Sequence, residues 1–356
     1  VNLISTGEHD ADASRLHQEH LEAADGALAE LTKAILHGGW SQTCPVPGPE
    51  KALARIADIE VSDFQHGHAG SVRGLRATSE FQRGEQLLVV PKEQQLDPME
   101  ATGSRFDSLS GDGARLAFVL AERRSQVTRH PRAHTALPEE FWNAYFESLP
   151  SLQEFRKQGL PLLGTDDELH QIENLPQVGA IAKHALLERK RIFEDLLQYN
   201  AARGTRDKLS WKDALWSSAV VSTRALLGRH KVDTRLAPVM DLINDRGNGS
   251  NAKWTRDADT GDLVLLAKQR IRRGKELTMR HLQRQASAAQ LFFKYGPLDS
   301  LPREQWPEEE CSRIHGKDLE HSRSPVLRAL GLFAERNCQR PAAHAAPSQA
   351  APAEIF

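Results

Sequence analysis

The chain has 356 residues, enough for more than one packed unit, and its 46 basic and 48 acidic residues leave a formal net charge of −2. That balance excludes the whole-chain field that draws proteins onto nucleic acid or an anionic membrane, so neither is expected as a partner. The three cysteines, Cys44, Cys311 and Cys338, are widely spaced without a C-x-x-C pair, which argues against a disulfide framework or a zinc site and for a reducing compartment.

Residues 13 to 37 place Leu21, Leu28, Leu31 and Ile35 on one helical face and stop at Gly38-Gly39, which predicts an amphipathic helix with a glycine cap. Cys44-Pro45-Val46-Pro47-Gly48-Pro49 cannot hold regular structure, so residues 1–50 read as a helix and a linker. From Phe64 to Pro91, "GSVRGLRATSEFQRGEQLLVVP" predicts short strands joined by tight turns. Its aliphatic run Leu87-Leu88-Val89-Val90 is far too short to span a bilayer.

Helical patterns then dominate residues 112 to 234, in "GARLAFVLAERR", "EEFWNAYFESLP", "AIAKHALLERKRIFEDLLQYNAARG" and "SWKDALWSSAVVSTRALLG". The last two are expected to end at Gly204 and Gly228, and Ser210 with Asp213 forms a capping-box start. Strand character returns in "RLAPVMDLI", "NAKWTR", "DLVLLA" and "KELTMR", with a hairpin turn at Ala258-Asp259-Thr260-Gly261-Asp262. A short helix, "ASAAQLFFKYG", closes at Gly296, and the Ala- and Pro-rich residues 341–356 are expected to be disordered. Strands, helices and strands again predict an α+β fold: a β domain over residues 51–300, interrupted by a helical insertion at about 100–235 and followed by residues 301–340 as a separate segment.

His66 with His68, and His130 with His134, lack the acidic or cysteine neighbours of a metal site, so no metal is expected. No G-x-S-x-G elbow, Walker loop or strand-linked G-x-G-x-x-G occurs, which removes support for hydrolase, NTPase and Rossmann chemistry. The basic run Arg270 to Lys275 reads as a solvated turn.

Three segments carry a resemblance. "VRGLRATSEFQRGEQLLVVP" (72–91) resembles the first motif of the SET domain. "APVMDLIND" (237–245) resembles the P-x-x-DLINH segment of the subgroup containing plant Rubisco large-subunit methyltransferases and the actin-histidine methyltransferase. "RIRRGKELTMRH" (270–281) with "AAQLFFKYG" (288–296) is similar to that subgroup's closing strand and helix, and "EEFWNAYFESLP" and "DALWSSAVVSTRALL" to its helical insertion. The agreement spans residues 60 to 300 in the family's order.

The resemblance implies a monomeric, S-adenosyl-L-methionine-dependent methyltransferase acting on a side-chain nitrogen of a protein substrate, most simply lysine. It assigns Ser71, Val72, Arg73 and Gly74 to the cofactor through their backbone, together with Arg224, Asp241, Asn244 and Asp245. The other reading of Gly74 is a plain hairpin residue, and of Arg224 a helix cap. Two positions depart from the family: Asp245 stands where a histidine is expected, and His281 where the catalytic tyrosine closes the strand. An imidazole can hydrogen-bond but titrates near neutral pH, unlike a phenol. His281 and Tyr295 are therefore the candidate catalytic pair, with a catalytically impaired partner-binding module and a protein-histidine methyltransferase as the alternative readings. The family's C-terminal substrate-binding region is expected to be truncated, and the compartment is left open among cytoplasm, nucleus and plastid.

Overall fold

The computed structural model describes residues 58–66, 70–101, 104–129, 139–175, 177–203, 208–226, 234–246, 249–280, 287–296, 306, 308–315 and 319–338. The expected N-terminal helix, the linker and the tail from Pro341 lie outside these residues. The described residues are helical and stranded in an α+β arrangement, and they fall in two compact units. One reaches to Phe155 and resumes at Glu188–Arg284; the other comprises Arg156–Leu187 and the residues from Gln285 onward.

The first unit holds two small sheets. Strand β1 (Ile59–His66) pairs antiparallel with β2 (Gly70–Ala77), with Ile59 opposite Ala77 and His66 opposite Gly70. Period-two alternation fixes the register: Leu75 and Ala77 are buried, while Arg76 between them reaches Glu60 on the outer face. Strand β7 (Glu276–Met279) pairs antiparallel with β2, and the two-residue strand β4 (Asn244–Asp245) runs parallel to β7, giving the order β1-β2-β7-β4. The second sheet has the order β3-β6-β5, from β3 (Gln86–Val90), β5 (Ala252–Arg256) and β6 (Leu263–Ala267).

The expected hairpin joins β5 to β6. The Asp257 carboxylate accepts from the N–H groups of Asp259 and Thr260, and Gly261 supplies φ +81°. One turn pattern is used twice. Phe81-Gln82-Arg83-Gly84 and Ile271-Arg272-Arg273-Gly274 each carry a left-handed glycine, and Phe81 and Ile271 exchange backbone hydrogen bonds of 2.9 Å. Arg270, in the run read as a solvated turn, pairs with exposed Glu80 at 2.7 Å.

Helices α1 (Ser104–Asp107), α2 (Asp112–Arg129), α3 (Glu139–Ser148), α4 (Leu152–Lys157), α5 (Asp166–His170), α6 (Val178–Ala201) and α7 (Trp211–Arg224) lie between β3 and β4 in the chain. Within the first unit, α2 packs on α7, burying Leu116 and Leu120 of one and Ala219 and Val220 of the other. The buried Glu122 of α2 accepts from the Tyr199 hydroxyl at 2.9 Å and pairs with Arg203, so its charge is compensated. Ser210 and Asp213 form the expected capping box of α7.

Helix α7 stops at Arg224, ahead of the expected Gly228. Ala225 closes the last turn on the Val221 carbonyl and then extends, so that Leu226 can pair with Arg235. The segment "RLAPVMDLI" also differs from expectation. Arg235 and Leu236 make isolated strand-like bridges, to Leu226 and Leu96, after which the chain turns through a short 3-10 segment at Met240–Leu242. Pro238 has no N–H for a ladder, and Val239 sits at φ 71°, which ends the extension.

The second unit contains α5, capped by Thr165 and Glu168, with α8 (Ala288–Tyr295), α9 (Glu308–His315) and α10 (Pro325–Cys338). Gly296 closes α8 at φ +72°, as expected, and Ser287 caps its start. Phe292 of α8 stacks on Phe333 of α10 at 4.4 Å. The cysteine reading is corrected here: α9 packs on α10, bringing Cys311 and Cys338 to a Cα separation of 5.6 Å as a disulfide. Twenty-seven residues of sequence separation carry no sign of that proximity, which helix packing alone creates. Among the described residues, no helix is long and apolar enough to cross a membrane.

Candidate functional site

The assigned residues gather where β2, β7 and β4 lie side by side. Ser71 and Val72 are on β2, opposite Gln65 and Phe64, and Arg73 faces Asp63. Asn244 opens β4 opposite Thr278, with Asp245 opposite Met279. This parallel pairing turns the Asn244 amide toward β2: Nδ2 donates to the Arg73 carbonyl at 3.2 Å and to Glu276 Oε1 at 2.8 Å. Its Oδ1 takes part in neither bond.

Gly74 is explained by this contact. A Cβ built there would lie 2.6 Å from Asn244 Nδ2, 3.1 Å from Phe64 Cδ2 and 3.2 Å from Glu276 Oε1. The close approach that the missing side chain permits is therefore made by the Asn244 amide. Asn251 supports the same strand, donating to the Glu276 carbonyl at 2.8 Å and accepting from the Thr278 N–H at 2.9 Å. The start of β5 is thereby tied to β7.

Upstream of Asn244 the 3-10 turn buries Asp241, whose backbone N–H donates to the Ala237 carbonyl at 3.0 Å. Arg224, the basic residue in the last turn of α7, donates to the Asp241 carbonyl at 3.3 Å, which ties the helix end to the DLIN segment. The Tyr145 hydroxyl, on α3, donates to Asp241 Oδ2 at 2.8 Å. Burial pushes the Asp241 carboxyl up to about 6, while the Arg224 charge, the Tyr145 hydroxyl and its own backbone amide hold it down. Burial, and next the Asp241 charge, raise the Tyr145 phenol well above its ordinary range. Val239, two residues before Asp241, is β-branched yet sits at φ 71° and ψ −48°, a sparsely populated conformation that stores strain beside the site.

Of the two candidate catalytic residues, His281 lies outside the described residues. Tyr295 ends α8 in the second unit, half-buried, with the Lys294 ammonium 4.9 Å from its ring centre. Burial lowers Lys294 to about 8. The sequence reading did not single out Tyr145, Glu276 or Asn251 as site residues. For Tyr145 the signal was available, since a tyrosine on the buried stripe of a helix needs a partner for its hydroxyl. For Glu276 and Asn251 none was, because both act through the pairing of strands.

Chemically, the cluster offers carboxylate and amide oxygens as acceptors, a half-buried guanidinium, and the backbone of a strand whose glycine admits the Asn244 amide. Such a set can hold a ligand that carries both an ammonium and a carboxylate.

No protein-family model matches the chain, and no curated protein matches it. Solved structures do. The SET domain of LSMT bound to lysine and AdoHcy aligns with a TM-score of 0.54 and 18% identity, over 77% of this chain and 57% of that one. Rubisco LSMT bound to AdoMet aligns at 0.53 and 18%, over 77% of this chain and 56% of that one. The LSMT SET domain bound to MeLysine and AdoHcy gives 0.53 and 18%, over 80% and 58%. The chain has the SET fold and spans less than two thirds of the length of these proteins.

Proposed function

We propose that this chain is an S-adenosylmethionine-dependent protein N-methyltransferase whose acceptor is a lysine side chain. The observation that carries the reading is the seat of Asn244. A two-residue strand parallel to β7 holds its amide against the Arg73 carbonyl and the Cβ-free Gly74, within a fold shared with proteins solved with AdoMet, AdoHcy and lysine.

The cofactor supplies a methyl group on a sulfonium. The residues of this chain have three tasks around it. The backbone of Ser71 to Gly74 and the Asn244 amide form the wall against which the cofactor rests. Arg224 and Asp241 offer a cation and an anion to its carboxylate and ammonium, and Asp245 continues that wall along β4. An acceptor lysine, with an ordinary pKa of about 10.4, must lose its proton before attack, which a desolvated channel promotes. His281 is the group proposed to orient the neutral amine in line with the methyl.

The two departures, Asp245 for histidine and His281 for tyrosine, favour a second reading in which the cofactor binds without turnover. One experiment separates the two. Purified protein is titrated with S-adenosylmethionine by calorimetry, then incubated with methyl-labelled cofactor and a protein extract. Binding with transfer of label to a lysine is the expected outcome. Binding without a labelled acceptor supports the second reading, and no binding removes both. A rise in transfer on His281→Tyr would mark the departure as a loss of catalytic power.

A further inference from the structure

We propose that Tyr145, carried by the helical insertion, is a positioning residue: its hydroxyl fixes Asp241 on the DLIN segment so that the second carboxylate oxygen is presented to a hydrogen-bond donor on the cofactor. The inference rests on the methyltransferase reading only for the identity of that donor. Three observations carry the placement. Tyr145 is 1% exposed and Asp241 6%, and they are 96 residues apart in sequence, on α3 and on the turn before β4, yet joined at 2.8 Å through Oδ2. Asp241 Oδ1 is sealed from solvent and accepts no hydrogen bond among the described residues. Val239, two residues upstream, holds an unfavourable backbone conformation, so the turn is kept in a shape that its sequence does not prefer.

A buried carboxylate with one satisfied oxygen and one empty one is costly in an unliganded protein, since water is not there to compensate. It becomes favourable when a ligand brings a donor, above all a charged ammonium. The Tyr145 hydroxyl can serve Oδ2 in either state, because burial and the adjacent carboxylate keep the phenol protonated. The groups that face Asp241 are Tyr145 from α3 and Arg224 from α7. β2, which also runs beside the turn, carries Arg73 and Arg76, and Arg76 is engaged with Glu60. The Tyr145 hydroxyl and the Arg224 cation both favour the ionised carboxylate against the burial that disfavours it.

Tyr145→Phe removes the hydroxyl and keeps the ring packed against Trp142 and Phe146. The Asp241 carboxyl is followed by carbon-13 NMR as pH is varied, without ligand, in the wild-type protein and the variant. S-adenosylmethionine affinity is measured by calorimetry over the same range. The titration midpoint is expected to rise by about one pH unit in the variant, with affinity about three-fold weaker near pH 6.5, approaching ten-fold near pH 5, and converging on the wild type by pH 9. Asp241→Asn, which keeps an acceptor for Tyr145, is expected to bind weakly with no pH dependence between 5 and 8.

An unmoved Asp241 midpoint in Tyr145→Phe overturns the positioning role, whatever the cofactor does. A moved midpoint with an unshifted affinity profile overturns the presentation of Oδ1 to the cofactor. Should the wild type fail to bind S-adenosylmethionine, the methyltransferase reading falls, while the ligand-free titration still decides whether Tyr145 governs Asp241. If Tyr145→Phe does not fold, Asp241→Asn decides: a pH-dependent affinity like that of the wild type overturns the proposal.

Discussion

Replacing Gly74 by alanine tests the site geometry directly. The backbone at position 74 is ordinary strand, so a Cβ brings no torsional strain, only a collision 2.6 Å from Asn244 Nδ2. No real Cβ tolerates that separation, and the obstacle is a short amide rather than the far end of a flexible chain. Asn244 must swing away, losing a bond to the Glu276 carboxylate at 2.8 Å and one to the Arg73 carbonyl at 3.2 Å. A charge-assisted bond contributes about 1.5–3 kcal/mol and a neutral one about 0.5–1.5, so the cost is expected to be about 2–4 kcal/mol. Urea unfolding of the wild type, Gly74→Ala, Asn244→Ala and the double variant measures it. Because the same amide is lost twice, the double variant should cost little more than Asn244→Ala alone, a coupling of about 2 kcal/mol. A Gly74→Ala protein within about 0.5 kcal/mol of the wild type, or two strictly additive substitutions, would refute the argument that glycine is there to seat Asn244.

Two further outcomes follow from the buried groups. Asp241 is raised from 3.8 to about 6, so the folded state holds this proton more tightly than the unfolded chain. Its contribution to stability is thus greatest at low pH and is lost as pH rises from about 4 through 6, by about 3 kcal/mol. Asp241→Asn should unfold at higher urea than the wild type at pH 8 and close to it at pH 4; a constant difference across that range contradicts the assignment. The Cys311–Cys338 disulfide closes a segment of 27 residues, for which chain entropy gives about 3.5 kcal/mol. Cys338→Ser should lower the thermal midpoint under non-reducing conditions and match the wild type in excess reductant, with intact-mass analysis showing the bond in the wild type.

The sequence by itself determined what local chemistry dictates. Period-two patterning and tight-turn residues marked the strands, Ser210 with Asp213 and the closing Gly296 marked helix ends, and the resemblance of "VRGLR", "DLIN" and "GKELTM" to the SET subgroup marked the segments that meet. Arg73, Gly74 and Asn244 were assigned because each lies in a contiguous segment that carries the family resemblance. What only the tertiary structure decided depends on contacts between segments far apart. A parallel pairing of two residues aims Asn244 at Gly74, the insertion sends the Tyr145 hydroxyl to Asp241, and helix packing joins Cys311 to Cys338. Sequence periodicity reports which face of an element is apolar, but a hydrogen bond between residues 96 or 171 apart leaves no periodic trace. The same limit explains the turn at Met240–Leu242: its apolar residues satisfy a strand pattern, while the proline beside it and the burial of Asp241 select a turn. Burial in that turn also moves the Asp241 carboxyl toward neutrality, a property of its surroundings that the identity of the residue does not contain.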